Sequence, residues 1–173
     1  MKGVIPICLS KLVIEKFGKD KWKEIMKASG LREDTIFLAH QDVDDSAVMT
    51  VLEKTCYVLG ITLDQASDAF GEYWVSTFAK KVYKDYYKNI TNAKEFLLNM
   101  DHVHKEATDT IENAHPPQFE YEEPADNVLI MKYISQRGLI DIFTGLIKGV
   151  GKHFHEELVI EKQEDNKVKV TFS

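Results

Sequence analysis

Three polar side chains alternate along the segment Tyr133-Ile134-Ser135-Gln136-Arg137, and together they could bind an anion. The apolar, β-prone run before this segment predicts a strand that continues into it. Every second side chain of a strand lies on one face, which aligns Tyr133, Ser135 and Arg137. A phenol, a hydroxyl and a guanidinium in a row are hydrogen-bond donors suited to carboxylates or phosphates. A strand that ends and leaves the core would give the same pattern. Other motifs of the chain are therefore needed to distinguish an anion-binding site from an ordinary strand end.

A second candidate group lies upstream, where His102 and His104 are two residues apart on a predicted helix. Two residues correspond to about 200° around a helix, so these histidines cannot share a face or bind one metal ion together. His104 lies on the apolar side of the helix and His102 on a mostly polar side, so we expect His104 to point inward and His102 outward. An inward-facing neutral imidazole is either a core histidine bonded to a carbonyl or the axial ligand of a haem iron.

The composition is that of an ordinary soluble globular protein. The chain has 173 residues, of which 44% are hydrophobic and 29% charged, and this length suits one domain over residues 1–173. The formal charge of −6 argues against a nucleic-acid partner. We find no apolar run of membrane-spanning length and no signal peptide, and therefore expect no direct membrane insertion. Cys8 and Cys56 fit a reducing compartment, so the expected location is the cytoplasm.

The elements that must position these groups are helical in the first two thirds of the chain. Apolar spacing predicts helices that end at Gly18, Gly30 and Gly60. A capping box that begins at Thr62 predicts another helix, which continues through Phe78. A long helical segment is expected from residue 92 to residue 111, ended by two adjacent prolines.

The final third of the chain changes character. Residues 116–127 contain three prolines and several acids, which predicts a loop or an irregular strand. A strand is expected over 128–135, a helix over 139–154 and a β-hairpin over 157–172. Helices first and strands later indicate an α+β fold, in which a helical N-terminal part is followed by a C-terminal antiparallel sheet with one long helix.

The sequence resembles the haem-nitric oxide/oxygen binding (H-NOX) family, relatives of the sensor domain of soluble guanylate cyclase. The resemblance extends over essentially the whole chain. It rests on Met1-Lys2-Gly3, Phe70-Gly71-Glu72-Tyr73-Trp74, Met100-Asp101-His102-Val103-His104, Pro116-Pro117, Tyr133-x-Ser135-x-Arg137 and Gly145-Leu146-Ile147-x-Gly149. The Y-x-S-x-R motif, about thirty residues after the M-D-x-V-H motif, makes the set specific.

The resemblance implies one haem b (iron protoporphyrin IX), buried between the helical part and the C-terminal part. It makes His104 the iron ligand and assigns the two haem propionates to Tyr133, Ser135 and Arg137. Pro117 matches a proline that presses on the haem and distorts it in some members. Further positions that resemble pocket-lining or distal sites are Ile5, Leu9, Trp74, Phe78, Ile142 and Leu146. A C-terminal cysteine cluster that binds zinc in some relatives is not expected, since neither cysteine lies beyond residue 56.

The distal side of the haem decides which gas is sensed. Members that bind oxygen stably resemble one another in a tyrosine nine residues after the motif tyrosine, where this chain has Ile142. Bound dioxygen carries partial negative charge, so a buried donor stabilises it by about 1–3 kcal/mol. Ile142 offers no donor, which favours nitric oxide, with carbon monoxide as a second candidate ligand. Trp74 stands where oxygen-binding members have an asparagine, and we expect its bulk to pack above the ring.

The resemblance implies a sensor and not an enzyme. Nitric oxide at the ferrous iron is expected to break the bond to His104 and to shift the helical half against the C-terminal half. The implied signalling partner is a histidine kinase, a cyclic-di-GMP enzyme or a chemotaxis receptor. Two alternatives remain open: a haem-free protein interaction module, and an oxygen-binding domain in which Trp74 contacts the ligand. A metal-dependent enzyme built on His153 and His155 is disfavoured, because the sequence offers no obvious third ligand.

Overall fold

The computed structural model describes all 173 residues, and the chain divides into two compact units. Unit 1 comprises Met1–Ala66 and Asn113–His115, and unit 2 comprises Ser67–Glu112 and Pro116–Ser173. That residues 1–173 act as one domain stays a prediction. No single helix is long and apolar enough to cross a membrane, and one bent pair of helices meets that requirement only by length and composition.

Unit 1 contains three helices whose predicted ends are confirmed. They are α1 (Val4–Phe17), α2 (Lys19–Ala28) and α3 (Asp45–Leu59). Gly18, with φ at +89°, separates the first two, and Gly60 ends the third in the left-handed conformation. The core of the unit is formed by residues of all three helices, among them Cys8, Leu9, Leu12, Val13, Trp22, Ile25, Met26, Val48 and Val51.

The helix that starts after Thr62 changes its winding in the middle. The predicted capping box is confirmed, since Thr62 Oγ1 accepts from the Gln65 N–H at 3.2 Å and Gln65 Oε1 accepts from the Thr62 N–H at 2.9 Å. α4 (Leu63–Tyr73) then continues into a π-helix (Trp74–Phe78) and α5 (Ala79–Val82). The predicted helix through Phe78 is therefore confirmed, but its change of winding was not predicted, because an i, i+4 spacing of apolar residues does not distinguish α from π winding.

The long helix expected between residues 92 and 111 is two shorter helices. A 3₁₀ turn (Lys84–Tyr87) precedes α6 (Ala93–Leu98) and α7 (Met100–Thr108). Asn99 ends α6, and its N–H is shared between the carbonyls of residues 95 and 96. Asparagine has a low helix propensity because its short amide competes for local backbone groups, which explains the break.

Unit 2 is completed by a sheet and one long helix, as the α+β prediction requires. The elements are β1 (Gln118–Ala125), β2 (Val128–Ile134), α8 (Ile140–Phe154), β3 (Leu158–Lys162) and β4 (Lys167–Phe172). The four strands pair antiparallel in the order β1-β2-β4-β3. Of the two interpretations offered for residues 116–127, the irregular strand is the correct one, because β1 carries a register shift between Glu122 and Ala125.

Within unit 2, α4 and α8 cross in backbone contact at three glycines. A Cβ atom on Gly71 would lie 2.0 Å from the Gly145 carbonyl oxygen, and one on Gly149 would lie 2.3 Å from the Gly71 carbonyl oxygen. A Cβ on Gly145 would lie 2.1 Å from the Ser67 carbonyl oxygen. No side chain fits between the helices at this crossing. The contact therefore fixes α8 against the helix that continues into Trp74–Phe78.

Candidate functional site

α7 presents its two histidines to different surroundings, as the helical periodicity predicts. The His102 side chain is 68% exposed, and its Nε2 lies 3.4 Å from the Glu106 carboxylate. His104 is partly buried, and its Nδ1 is fully buried without a hydrogen-bond partner. A buried polar atom that lacks a partner costs about 1–3 kcal/mol, so such an atom calls for a functional explanation.

The environment of His104 favours a neutral imidazole. Burial lowers the pKa of His104 below its ordinary value of 6.5, and this effect outweighs the opposing influence of the Asp101 carboxylate and the Pro117 carbonyl. The Pro117 carbonyl lies close enough to the ring to influence its pKa, although Nδ1 has no partner at hydrogen-bond geometry. At neutral pH the ring therefore keeps a lone pair that can bind a metal ion.

Asp101, on the same helix, ties α7 to the start of the sheet. Its Oδ1 accepts the backbone N–H of Phe119 in β1 at 2.9 Å. A carboxylate acceptor makes this a charge-assisted hydrogen bond, which is stronger than one between neutral groups. The bond holds the beginning of β1, and with it Pro117 two residues earlier, beside the His104 helix.

Replacing Asp101 with Ala should lower the free energy of unfolding by about 1.5–3 kcal/mol, the usual contribution of a hydrogen bond to a charged group. Asp101→Asn is the matched control: it keeps an acceptor oxygen at the same position and should lose less than half as much. Urea denaturation of the two variants measures the difference. If both variants lose the same free energy of unfolding, the hydrogen bond to Phe119 does not stabilise the connection between α7 and β1.

Two stacked aromatic rings, those of Phe119 and Phe143, connect His104 to Tyr133. The His104 ring is stacked on Phe119 at 5.7 Å between centroids, Phe119 on Phe143 at 5.0 Å, and Phe143 on Tyr133 at 5.3 Å. Phe119, Phe143 and Tyr133 are all buried and belong to the main hydrophobic core of unit 2. The structure thus brings the predicted iron ligand and the first member of the predicted anion clamp to one aromatic cluster.

The anion clamp is the set Tyr133, Ser135 and Arg137, and only its first member lies in a strand. Tyr133 is 6% exposed in β2, whereas the strand ends at Ile134. The expectation that one strand carries all three residues is therefore wrong. The chain turns because Gly138, just beyond the clamp, adopts a left-handed conformation with φ at +63°.

The three clamp residues are nevertheless more buried than the residues between them. The partly buried Ser135 and Arg137 alternate with the exposed Ile134 and Gln136, which continues the alternation of the strand. The Arg137 N–H donates to Ser135 Oγ at 3.3 Å, which holds the turn together. A hydroxyl, a phenol and a guanidinium thus follow one another at the end of β2, as an anionic group would require.

The residues predicted to line the pocket from unit 2 lie on two elements. Trp74 and Phe78 begin and end the π-helix, and Trp74 packs between Phe70 and Phe78 at centroid distances of 5.7 and 5.3 Å. Ile142 and Leu146 are partly buried and lie four residues apart on α8, so they share one face of that helix. All of these side chains are hydrophobic or aromatic.

The two remaining candidates belong to unit 1. Ile5 and Leu9 lie four residues apart on α1, so they also share a face, and Leu9 is buried. Their role as pocket residues stays a prediction, as does the role of each candidate in unit 2.

Three residues at the site are not identified by sequence reasoning: Asp101, Phe119 and Phe143. Asp101 is part of the M-D-x-V-H motif, but the motif alone gives it no role. Phe119 lies in an alternating Gln-Phe-Glu-Tyr-Glu stretch, and this period of two was the available signal for a strand with Phe119 on its inner face.

The residues present fit a haem. His104 offers a neutral imidazole with an orphaned buried nitrogen, the neighbouring rings are apolar, and the clamp residues are donors suited to propionates. The fold and this site define a haem-binding sensor domain. The family model described as haem-NO-binding matches residues 2–162, and the chain belongs to this family. The family is one of sensor domains, which are not themselves catalytic.

Relatives among known proteins agree with this assignment. The chain is 27% identical over 156 residues to soluble guanylate cyclase gcy-34 of Caenorhabditis elegans, covering 88% of this chain and 23% of that protein. It is 27% identical over 161 residues to soluble guanylate cyclase gcy-37 of the same organism, covering 90% and 23%. The chain therefore spans about a quarter of the length of these relatives.

Solved structures with the same fold are H-NOX domains. A Cs H-NOX variant that carries 4-cyano-L-phenylalanine superposes with a TM-score of 0.88 at 28% identity, covering 100% of this chain and 97% of that chain. The oxygen complex of an oxygen-binding H-NOX domain related to soluble guanylate cyclases gives a TM-score of 0.83 at 28% identity, covering 100% and 95%. One of these neighbours thus binds oxygen, which makes the choice of gas a question for this chain's own residues.

Proposed function

We propose that this chain is a sensor of nitric oxide that uses haem b, iron protoporphyrin IX, as its cofactor. The observation that carries the proposal is the state of His104: a neutral, inward-facing imidazole whose buried Nδ1 has no protein partner. A histidine in this state is suited to be an iron ligand. When bound, the haem supplies a ferrous iron that binds diatomic gases.

The anion clamp would hold the two propionates of the haem. Arg137 contributes a guanidinium that can donate two parallel hydrogen bonds to one carboxylate, while Tyr133 and Ser135 each contribute a hydroxyl. The hydrogen bond between Asp101 and Phe119 positions Pro117 beside His104. From there, Pro117 would press on the haem that His104 binds. The candidates in unit 2, Trp74, Phe78, Ile142 and Leu146, would provide apolar walls.

The proposed selectivity rests on the absence of a donor at Ile142. A hydrogen bond to bound dioxygen is worth about 1–3 kcal/mol, up to about two orders of magnitude in affinity. Nitric oxide gains little from such a bond, so an aliphatic side chain at this position favours nitric oxide, or carbon monoxide, over oxygen. Trp74, which packs between two other rings, is proposed as a wall of the pocket.

The proposed signal starts on α7. His104 would be a ligand of the iron, and loss of that bond when the gas binds would remove one of the tethers of α7. Because Asp101 of the same helix holds Phe119 of β1, movement of α7 is transmitted to the sheet and to the aromatic cluster. The proposed partner that responds to this change is a histidine kinase, a cyclic-di-GMP enzyme or a chemotaxis receptor.

Free thiols at Cys8 and Cys56 support a cytoplasmic location.

The absorption spectrum tests the proposal, and Ile142→Tyr tests its selectivity. The ferrous protein should show a Soret band that does not change in air and that shifts when nitric oxide is added. At an oxygen pressure high enough for the unmodified protein to form an oxygen complex, Ile142→Tyr should slow oxygen dissociation by about tenfold or more, because a phenol can donate to bound dioxygen. Ile142→Phe, which has similar bulk and no donor, is the matched control and should not slow it.

Other results would favour the alternatives. If the purified protein shows no Soret absorbance, the result would contradict the haem sensor and favour the haem-free interaction module. A stable oxygen complex of the unmodified protein would defeat the argument from Ile142 and would favour an oxygen-binding domain that uses the Trp74 N–H as donor.

A further inference from the structure

The π-helix at Trp74–Phe78 leaves one carbonyl group without a backbone donor. The Ala79 N–H donates to the Trp74 carbonyl, five residues back, whereas the Tyr83 N–H donates to the Ala79 carbonyl, four residues back. Between these two bonds, the three N–H groups of residues 80–82 face the four carbonyls of residues 75–78. One of the four must therefore find a partner elsewhere, as is usual where π winding returns to α winding.

One of these four carbonyls, that of Val75, accepts a hydrogen bond from the Tyr87 side chain. The Tyr87 hydroxyl donates to this carbonyl oxygen at 2.8 Å, and Val75 is 3% exposed. The Tyr87 ring is held by Phe96 at a centroid distance of 5.1 Å and by the edge of His153 at 5.3 Å. Burial raises the pKa of Tyr87 above its ordinary value, so the phenol stays protonated and remains a donor.

The stretch that Tyr87 holds carries two walls of the proposed haem site. Trp74 is the first residue of the π-helix and Phe78 the last, and their rings lie 5.3 Å apart. Trp74 and Phe78 are four residues apart and would share one face in α winding as well, but the rotation between them differs between π and α winding, so a change of winding would shift one ring relative to the other. The hydrogen bond from Tyr87 to Val75 therefore influences the orientation of the Trp74 and Phe78 rings.

We propose that Tyr87 is a positioning residue for the gas pocket, which holds the Trp74–Phe78 π-helix through the Val75 carbonyl and so sets the placement of Trp74 and Phe78. The inference rests on the proposed function, because it assigns these two side chains to the haem pocket. Tyr87 itself does not contact the haem or the gas. Its hydroxyl acts through the backbone of the π-helix.

The first experiment uses Tyr87→Phe in the haem-free protein and measures amide hydrogen exchange by NMR. The substitution keeps the ring between Phe96 and His153 and removes only the hydroxyl. Exchange of the amides of residues 79–83 should become about two- to tenfold faster, and the indole N–H resonance of Trp74 should shift. Tyr121→Phe is the matched control, because the Tyr121 hydroxyl donates to the Leu97 carbonyl at 3.2 Å and that bond does not involve the π-helix. The control should leave both readouts unchanged.

The second experiment measures the association rate of carbon monoxide with the ferrous, haem-loaded protein. Tyr87→Phe should change this rate at least threefold, in either direction, with the His104 ligation spectrum retained, whereas Tyr121→Phe should not change it. Unchanged exchange and an unchanged Trp74 resonance would overturn the proposal, and so would faster exchange without any change in the association rate. Failure of the unmodified protein to bind haem would overturn the proposed function and the pocket role together. The exchange arm, which needs no haem, would still report whether Tyr87 holds the π-helix.

Discussion

His104→Gly should abolish haem retention, so that the variant purifies without a Soret band. The imidazole of His104 is the only iron ligand that we propose in this chain, and glycine offers no side-chain ligand. Loss of an iron ligand should exceed the 10–100-fold loss of metal affinity that follows from disturbing an outer-shell partner. Free imidazole added to the medium should restore haem binding, because it can occupy the space that the side chain leaves.

The neighbouring histidine provides a closely matched control for this experiment. His102→Gly places the same residue on the same nine-residue helix, so both variants lose the same helix propensity, which is less than about 1 kcal/mol. His102 is exposed and faces Glu106, and we expect its variant to retain haem. Haem retention by His104→Gly together with haem loss by His102→Gly would show that the helical-face argument selects the wrong histidine.

Gly71→Ala should destabilise unit 2 by about 3 kcal/mol or more, which corresponds to a melting temperature lower by about 6–12 °C. The added Cβ would lie 2.0 Å from a carbonyl oxygen and 2.2 Å from the carbonyl carbon of Gly145. These are backbone atoms of the facing helix, so no side-chain rotation can relieve the clash. The helix-propensity gain of about 1 kcal/mol from Gly to Ala offsets only part of this cost.

A second Gly→Ala variant in the same unit, at Gly138, is the control that distinguishes the steric clash at Gly71 from the other effects of replacing glycine with alanine. Gly138 has φ at +63° and nothing within 4 Å of an added Cβ, so Gly138→Ala should cost only the backbone strain of about 1 kcal/mol. Thermal unfolding of the two variants, followed by circular dichroism, gives the comparison. If Gly71→Ala melts at or above the temperature of Gly138→Ala, α4 and α8 can separate at little cost and the crossing is not a rigid contact.

Local signals in the sequence were sufficient for most helix ends and for the last hairpin. Gly18 and Gly60 stop helices because they adopt positive φ angles, and the reciprocal bonds of Thr62 and Gln65 start one. These interactions connect residues a few positions apart, so a short window contains the information. The inward direction of His104 follows from the same kind of local periodicity.

The features that were not predictable depend on contacts between distant residues. Phe119 stacks on His104 and Phe143, which are 15 and 24 residues away, and no local pattern reports such a pairing. The π-helix could not be predicted from a short window, since one of its carbonyls, that of Val75, accepts a hydrogen bond from Tyr87, 12 residues away. For the clamp, motif spacing identifies the residues but not their conformation, although Gly138 directly after Arg137 was an available turn signal.

The strand order has a consequence for the biosynthesis of the domain. β4 is the last of the four strands to leave the ribosome, yet it pairs with β2 on one side and β3 on the other. The Tyr133 N–H, at the end of β2, donates to the carbonyl of Asn166 at 2.9 Å, immediately before that late strand. Until β4 has been translated, β2 is paired with β1 alone, its other side is an open edge, and the Tyr133 N–H lacks its acceptor at Asn166. We therefore expect the nascent chain to acquire its cofactor only after β4 has been made.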